Sequence, residues 1–178
     1  MNNQVGSLLL KMLEKGNFKL AVAESLTAGK VSDLIASVEG ISKYYQGSVT
    51  AYTCEIKNKV LDVYKVLLDK SGPYNNKTTH MMCNGVMRLM NADVAVATSG
   101  VAGPGNDGDT EEGMVYITVK IKEKTYDMHY QSTIKNDREK IREEAAGLAR
   151  DLLISSLFNY LDMQDYYFQE GGVEKCGM

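Results

Sequence analysis

Apolar residues recur three or four positions apart in four segments of the chain, which predicts amphipathic helices over residues 5–15, 27–38, 80–91 and 137–160. Shorter apolar or alternating runs predict five β-strands, over residues 19–23, 44–53, 93–98, 113–122 and 125–133. The run over residues 93–98 is apolar almost throughout, as expected for a strand that is covered on both faces of a sheet. Helices that alternate with strands, followed by one hairpin, predict a single α/β domain, a three-layer α/β/α sandwich around a mixed β-sheet.

Polar residues and glycines mark the ends of the predicted helices. Gly16 stands where a left-handed residue would end the first helix, and Asn76 or Thr78 can cap the helix that starts near residue 80. Asn136, followed by Glu139, predicts a capping-box-like start for the last helix, because such side chains bind the free N–H groups of the first turn.

The composition indicates an ordinary soluble globular protein. The chain has 178 residues, 44% of them hydrophobic, and a chain of that length buries roughly 70% of its unfolded surface without disulfides or a structural metal. Its net charge of −3 disfavours nucleic-acid and anionic-membrane binding, since phosphate affinity comes from clustered Lys and Arg. We expect one domain over residues 1–163, a tail or oligomer contact over residues 164–178, and a homo-oligomer.

Cysteine usage and the N-terminal sequence bear on where the protein works. Cys54, Cys83 and Cys176 form no C-x-x-C pair, so neither a disulfide framework nor a zinc site is indicated, and a reducing compartment is expected. The leucines at positions 8–10 follow no basic segment and form too short a run for a signal peptide or a membrane span. We therefore expect a cytoplasmic protein with no membrane association, metal or cofactor.

A polar turn follows the first predicted strand, where the apolar run ends in Glu24, Ser25 and Thr27, with Gly29 just beyond. A hydroxyl in the first turn of a helix can cap a free N–H group. The same N–H groups, together with the positive end of the helix dipole, can instead hold an anion or a developing oxyanion. Taken alone, the stretch favours capping, because Ser and Thr are common helix caps.

Two more polar stretches follow predicted strands. Tyr52 and Lys57 come after the second strand, and Ser99, Gly100 and Gly103 open a loop rich in glycine after the third. Since ligands of α/β proteins bind outside the carboxyl ends of the strands, we expect these segments to converge on one site. A desolvated lysine can act as the base that a nucleophilic serine needs, so Lys57 is the candidate base. The glycine loop either offers N–H groups to a ribose or phosphate, or is a flexible connection between strands.

Charged and metal-ligating side chains suggest two further hypotheses. Arg138 and Arg142 lie one helical turn apart, which suits a bound anion, although pairing with two neighbouring glutamates explains the arrangement equally well. His80 and Cys83 lie three apart on a predicted helix, but two ligands without a second pair are more often structural than a metal site. Neither of the two histidines lies beside a candidate nucleophile, so a Ser-His-Asp triad is not indicated.

Four motifs occur along the chain in a recognisable order and spacing: Ala23-Glu-Ser-Leu-Thr-Ala-Gly29, Gly47-x-x-x-x-Tyr52-x-x-x-x-Lys57, Ser99-Gly-Val-Ala-Gly-Pro-Gly105 and Asn136-Asp-Arg-x-x-x-Arg142. In this register they resemble the CinA C-terminal domain family, and the resemblance extends over residues 5–160. It implies a three-layer α/β/α sandwich with a mixed sheet. It also implies hydrolysis of the amide of nicotinamide mononucleotide to nicotinate mononucleotide and ammonia, a step of pyridine nucleotide salvage.

Carried over position by position, the resemblance implies roles for the residues singled out above. The implied catalytic residues are Ser25, Thr27, Tyr52 and Lys57. The implied substrate-binding residues are Glu24, Gly29, Ser99, Gly100, Gly103, Arg138 and Arg142. In this hypothesis Ser25 attacks, Lys57 takes its proton, and backbone N–H groups of residues 27–29 stabilise the oxyanion. Arg142, supported by Arg138, binds the phosphate of a small-molecule nucleotide, and no cofactor takes part.

The chain departs from the family pattern at four places. Ala28 stands where the family's E-S-x-T-G-G has a glycine, and Asn136 stands where its G-D-R has a glycine. Pro73-Tyr74-Asn75 stands where the family has A-V-S, and the family's E-E-K-P-V-G is shortened to Glu111-Glu112-Gly113. These departures concern substrate choice more than fold. The alternative expectation is a divergent, non-catalytic nucleotide-binding or regulatory module of the same fold.

Overall fold

The computed structural model describes residues 3–161, which form six α-helices, one 3₁₀ helix and five β-strands. The helices are α1 (Asn3–Gly16), α2 (Lys30–Ala36), α3 (Cys54–Leu61), α4 (Lys65–Ser71), α5 (Asn76–Met90) and α6 (Arg138–Tyr160), and the 3₁₀ helix spans Ile41–Lys43. The strands are β1 (Leu20–Glu24), β2 (Tyr45–Thr50), β3 (Val94–Gly100), β4 (Met114–Ile121) and β5 (Lys124–Gln131). The five predicted strands are therefore confirmed, within a few residues at their ends.

The strands form one mixed sheet in the order β2-β1-β3-β4-β5. β1 runs parallel to β2 and β3, whereas β4 pairs antiparallel with β3 and β5 pairs antiparallel with β4. β4 and β5 are the predicted hairpin. Because β1, β2 and β3 point the same way, their carboxyl ends meet at one edge of the sheet, which is where ligands bind in such folds.

Helices cover both faces of the sheet and build two apolar cores. Successive residues of β1 point to opposite faces, so Leu20 and Val22 pack with α1, α2 and α6, whereas Ala21 and Ala23 pack with α3, α4 and α5. All five residues of β1 are buried, as expected for a central strand covered on both sides. The predicted three-layer α/β/α sandwich with a mixed sheet is confirmed.

A glycine fixes the distance between two helices on the second face. Gly85 of α5 lies against the carbonyl oxygen of Leu61 in α3, and a Cβ added at Gly85 would stand 2.1 Å from that oxygen. No larger side chain fits there without moving the backbone of α3. Since α3 carries Lys57, this contact helps to set the position of the lysine.

The first two predicted helix caps are displaced along the chain. The left-handed residue after α1 is Asn17, with φ 47°, whereas Gly16 is the last helical residue. Asn75 rather than Asn76 or Thr78 caps α5, and its side-chain oxygen accepts a hydrogen bond of 2.9 Å from the Thr78 N–H. In both cases neighbouring residues offer similar chemistry, and the backbone conformation selects which of them ends the helix.

The predicted cap of the last helix is also wrong by one position. Asp137 rather than Asn136 caps α6, where its side chain accepts a hydrogen bond of 3.1 Å from the Lys140 N–H. Asn136 cannot cap because it adopts a left-handed conformation, with φ 55°. Glu139 forms no capping box, since its carboxylate pairs with Lys30 at 2.6 Å.

Within residues 3–161, no helix is both long enough and apolar enough to cross a membrane. The predicted tail or oligomer contact over residues 164–178 lies outside the described residues.

Candidate active site

A cleft of about 230 Å³ opens at the edge of the sheet where β1, β2 and β3 end. Its walls come from the turn after β1, the segment after β2, the segment before α5, the loop after β3 and the first residue of α6. The residues that line it are Ser25, Leu26, Tyr52, Tyr74, Gly100, Val101, Ala102, Gly103, Pro104, Gly105, Asn106, Asp107 and Arg138. Of the residues that the sequence assigns to the site, the cleft is lined by Ser25, Tyr52, Gly100, Gly103 and Arg138.

Lys57 lies behind the cleft wall and contacts the candidate nucleophile. Its Nζ donates a hydrogen bond to Ser25 Oγ at 2.8 Å, and two more to the carbonyl oxygens of Ala51 and Tyr52 at 2.9 and 3.2 Å. The lysine is only 1% exposed. A neutral amine has two N–H bonds and one lone pair. The two carbonyls can take the N–H bonds, which leaves the lone pair facing the Ser25 hydroxyl.

Burial lowers the pKa of Lys57 and so favours its neutral form. Desolvation lowers the pKa of Lys57 from 10.5 to about 8, and the Cys54 side chain opposes this change only in part. No carboxylate within residues 3–161 contributes to holding the ammonium form. At pH 7 about one molecule in ten carries the neutral amine, against about one in three thousand for a lysine of ordinary pKa.

Glu24 precedes Ser25 and is committed to the start of α2. The residue is fully buried, and its two carboxylate oxygens accept hydrogen bonds from the N–H groups of Gly29, Val31 and Ser32 at 2.9, 3.1 and 2.9 Å. A carboxylate at this end of a helix also interacts favourably with the helix dipole. Glu24 therefore acts as the cap of α2, and its interactions hold the turn that carries Ser25.

The turn over residues 25–29 differs from the predicted helix start. The helix begins at Lys30, because Ala28 and Gly29 have positive φ angles of 45° and 100°. No hydroxyl caps it, so the predicted capping by Ser25 or Thr27 is wrong. The N–H of Ala28 donates to the Ser25 carbonyl at 3.1 Å, and that of Gly29 donates to Glu24. The predicted oxyanion donors at positions 28 and 29 are thus occupied.

Thr27 and Ser99 are fully buried and do not line the cleft. Thr27 Oγ1 shares a hydrogen bond of 2.7 Å with Thr98 Oγ1, and Ser99 Oγ donates one of 2.7 Å to the carbonyl oxygen of Pro73. The first bond ties the turn after β1 to β3. The second ties β3 to the segment before α5, so both residues support the cleft from behind.

Arg142 connects α6 to the nucleophile turn. Its Nε donates to the Leu26 carbonyl at 2.9 Å, its Nη2 donates to the Thr27 carbonyl at 3.1 Å, and its Nη1 binds Glu139 at 3.0 Å. The guanidinium therefore pairs with a glutamate, the alternative left open by the sequence, and does not line the cleft. Its contacts fix the turn next to Ser25.

Arg138 is the cation of the cleft, since none of the other lining residues is a lysine or arginine. Its Nη1 donates to the Gly103 carbonyl at 2.5 Å, and its Nη2 contacts the Tyr52 hydroxyl. These contacts bridge the segment after β2 and the glycine loop. They also leave the positive charge at the cleft surface, where an anionic group can reach it.

A buried glutamate that sequence reasoning did not assign to the site organises the glycine loop. Glu112 accepts hydrogen bonds from the N–H groups of Gly105 at 2.7 Å and Asn136 at 2.6 Å, and its own N–H donates to the Asn106 side chain at 3.0 Å. Gly103 has a φ of 71°, and a Cβ there would stand 2.4 Å from the Glu112 side chain. The loop is therefore a braced wall of the cleft.

Sequence reasoning also missed a tyrosine–aspartate pair in the cleft wall. The Tyr74 hydroxyl donates a hydrogen bond to Asp107 Oδ2. Burial, together with the Asp107 carboxylate, raises the pKa of Tyr74 above its ordinary value. No local sequence pattern indicates that the two side chains meet.

The histidine and cysteine considered as metal ligands have separate partners. His80 Nε2 lies 2.7 Å from both carboxylate oxygens of Asp127, and Cys83 is fully buried in the core. Burial raises the pKa of the Cys83 thiol. Within residues 3–161, no group of three or more His, Cys, Asp or Glu side chains is placed to hold a metal ion.

The sequence matches the family described as the CinA C-terminal domain over residues 2–157. A CinA-like protein of Dictyoglomus thermophilum is 33% identical over 155 residues, which cover 85% of this chain and 37% of that protein. A CinA-like protein of Shewanella denitrificans is 34% identical over 157 residues, which cover 86% and 36%. The chain thus spans little more than a third of the length of these curated relatives.

Solved structures agree with this match. A competence-damaged protein (CinA) superfamily protein from Escherichia coli superposes with a TM-score of 0.81 at 26% identity, covering 86% of this chain and 89% of that chain. The competence damage-inducible protein A from Klebsiella pneumoniae has the same fold, with a TM-score of 0.83 at 23% identity over 89% and 98% of the two chains. Because sequence and fold agree over nearly all described residues, this chain belongs to the CinA C-terminal domain family.

Proposed function

We propose that this chain is an amidohydrolase that cleaves the carboxamide of nicotinamide mononucleotide, with Ser25 as nucleophile and Lys57 as general base. The observation that carries the proposal is the 2.8 Å hydrogen bond between Lys57 Nζ and Ser25 Oγ at the wall of the cleft. The buried lysine has its pKa lowered to about 8, so a useful fraction of it is neutral near pH 7. The chain's family membership supports the same reaction class.

The dyad can carry both halves of an amide hydrolysis. Ser25 Oγ attacks the amide carbon while its proton passes to the neutral Lys57. The lysine ammonium then protonates the amide nitrogen, the C–N bond breaks, and ammonia leaves an ester on Ser25. A water attacks that ester and gives a proton to Lys57, which returns it to Ser25 as the C–O bond breaks. The sum consumes one water and yields a carboxylic acid and ammonia, which at neutral pH become a carboxylate and an ammonium ion.

The Ala51 and Tyr52 carbonyls give this dyad its orientation. They accept hydrogen bonds from Lys57 in either protonation state, so the amine does not need to turn between the two half-reactions. A fixed amine costs little reorganisation when the proton moves. These carbonyls thus replace the carboxylate that orients the base in a histidine-based triad.

Phosphate binding is better assigned to Arg138 than to Arg142. Arg142 donates to two carbonyls and to Glu139, so little of its guanidinium remains for a ligand. Arg138 lines the cleft, and a guanidinium binds phosphate with two parallel N–H bonds. On binding a phosphate, Arg138 would replace its two neutral partners, the Tyr52 hydroxyl and the Gly103 carbonyl, with a charged one.

Ammonia release from nicotinamide mononucleotide tests the proposal. The wild-type chain should release ammonia, and Ser25→Ala and Lys57→Met should each lower kcat by about 100-fold or more, because either change removes the attacking group or its base. Ser155→Ala and Lys59→Met are matched controls at exposed positions, and both should keep wild-type rates.

The outcomes separate the proposal from its alternative. Near-full kcat in Ser25→Ala would refute the covalent mechanism and favour a water activated directly by Lys57. Nucleotide binding by the wild-type chain, without ammonia release at high protein concentration, would refute the hydrolase. That result would support a non-catalytic nucleotide-binding module instead.

A further inference from the structure

We propose that Tyr74 and Asp107 form a subsite that binds the sugar hydroxyls of the nucleotide. The inference rests on the proposed function, because the group assigned to this subsite is the sugar that joins the amide-bearing ring to the phosphate in the proposed substrate. Both residues line the same cleft as Ser25 and Arg138. Tyr74 belongs to Pro73-Tyr74-Asn75, one of the stretches named above as a departure from the family pattern.

The pair presents hydrogen-bond acceptors to the cleft. The single phenolic proton of Tyr74 is donated to Asp107 Oδ2. The phenol oxygen keeps acceptor capacity, and an ionised carboxylate accepts up to about four hydrogen bonds, so most acceptor sites of the pair remain open. Within residues 3–161, no lysine or arginine forms an ion pair with Asp107. The chemical complement is a group rich in O–H donors.

The aspartate is held in place by the backbone around it. The N–H of Asp107 donates to the Thr110 carbonyl at 3.0 Å, and the N–H of Thr110 donates back to the Asp107 carbonyl at 3.1 Å. On its other side, Asn106 and Gly105 are both hydrogen-bonded to Glu112. These bonds hold the backbone, and the Tyr74 hydroxyl holds the carboxylate, so the pair loses little conformational freedom when it binds a diol.

Charge distinguishes the sugar from the other parts of the substrate. A phosphate at Asp107 would place two negative groups together, whereas Arg138 offers it the opposite charge in the same cleft. The amide must lie at Ser25. A vicinal diol can donate to both oxygens of a carboxylate at once, as no other neutral part of the substrate can. The competing ligand for Asp107 is the positively charged pyridinium ring, and it can be separated from the sugar experimentally.

The test compares binding of ribose 5-phosphate and 2-deoxyribose 5-phosphate to the whole chain by calorimetry. Neither compound contains the pyridinium ring or the scissile amide. The wild-type chain should bind the ribose compound about 10-fold more tightly or better, since a hydrogen bond to a charged group is lost in the deoxy sugar. Asp107→Ala should abolish this preference and Tyr74→Phe should reduce it. Asp109→Ala is the matched control, because Asp109 belongs to the same turn, is exposed and does not line the cleft.

Each contrary result has a distinct meaning. Equal affinity of the wild-type chain for the two sugars, or no binding of ribose 5-phosphate at all, overturns the inference. So does an Asp107→Ala variant that binds nicotinamide mononucleotide more weakly but keeps its preference for ribose, because Asp107 would then hold the pyridinium charge. Failure of the proposed hydrolysis alone gives a different result. The chain would then still prefer ribose 5-phosphate to the deoxy compound but release no ammonia from nicotinamide mononucleotide.

Discussion

The lowered pKa of Lys57 sets a measurable limit on the proposed reaction. Only the neutral amine can take the Ser25 proton, so kcat/KM should rise about tenfold per pH unit below the pKa and level off above it. With a pKa of about 8, the gain between pH 7 and the plateau should be about tenfold. A lysine of ordinary pKa would give a rate that still climbs steeply at pH 9.5, with a total gain of about three thousandfold.

The assay is ammonia release from nicotinamide mononucleotide at low substrate concentration, followed from about pH 6 to about pH 9.5. Circular dichroism at each pH serves as the control for whether the chain stays folded. Lys59→Met should keep the wild-type profile, because that side chain is exposed two positions from the dyad. A flat profile, or a midpoint near the ordinary lysine pKa, would refute the assignment of Lys57 as the base.

Stability gives a second measurement of the same pKa. The folded chain releases the Lys57 proton near pH 8 and the unfolded chain near 10.5, so between these values the unfolded chain binds more protons. The free energy of unfolding therefore rises with pH in this window. Below pH 8 the folded chain carries the full cost of burying the charged lysine. The change amounts to about 3 kcal/mol. Urea denaturation measures this change. The free energy of unfolding of the wild type should rise relative to that of Lys57→Met over this window, and a difference between the two that does not change with pH would contradict the burial of Lys57.

Three further predictions follow from the contacts around the cleft. Arg138→Ala should raise KM for the nucleotide about tenfold or more and leave KM for the nucleoside without phosphate nearly unchanged, which steady-state kinetics with both compounds can check. Arg142→Ala should instead lower the free energy of unfolding by about 1–3 kcal/mol, since two carbonyls lose a charged donor, and urea denaturation measures this. Glu24→Gln should cost a similar amount, about 1–3 kcal/mol by the same measurement, because one oxygen cannot satisfy the three N–H groups that Glu24 now binds.

The pairing of Ser25 with Lys57 was within reach of the sequence because topology decides it. Ser25 follows β1 and Lys57 lies just beyond β2, and these are adjacent parallel strands. The carboxyl ends of adjacent parallel strands meet, so two polar segments that follow them also meet. Apolar periodicity predicts the strands, and the general rule for α/β sheets predicts that the segments after them converge. That β1 and β2 are neighbours is a finding of the structure.

Other parts of the site depend on side-chain geometry that no local pattern encodes. Arg138 and Arg142 look equivalent in sequence, yet only the first lines the cleft, since the second reaches two carbonyls of the turn after β1. Tyr74 and Asp107 lie on separate loops, so their contact follows from the packing of those loops rather than from any spacing. The start of α2 was misplaced because the positive φ angles of Ala28 and Gly29 cannot be read from residue types alone.

Glu24 immediately precedes Ser25 in the chain, which brings an acidic residue close to the candidate base, Lys57. A carboxylate close to Lys57 would favour the ammonium form and remove the lone pair that the proposed mechanism needs. The alternation of side chains along β1 prevents this, because Glu24 points to the face of the sheet that α2 covers, whereas Lys57 comes from α3 on the opposite face. Glu24 binds three N–H groups there and does not appear among the charges that act on Lys57. Glu24 at the end of β1 thus binds the start of a helix on one face of the sheet, whereas Ser25 in the turn that follows contacts the buried amine on the other face, and this separation keeps the amine free to act as a base.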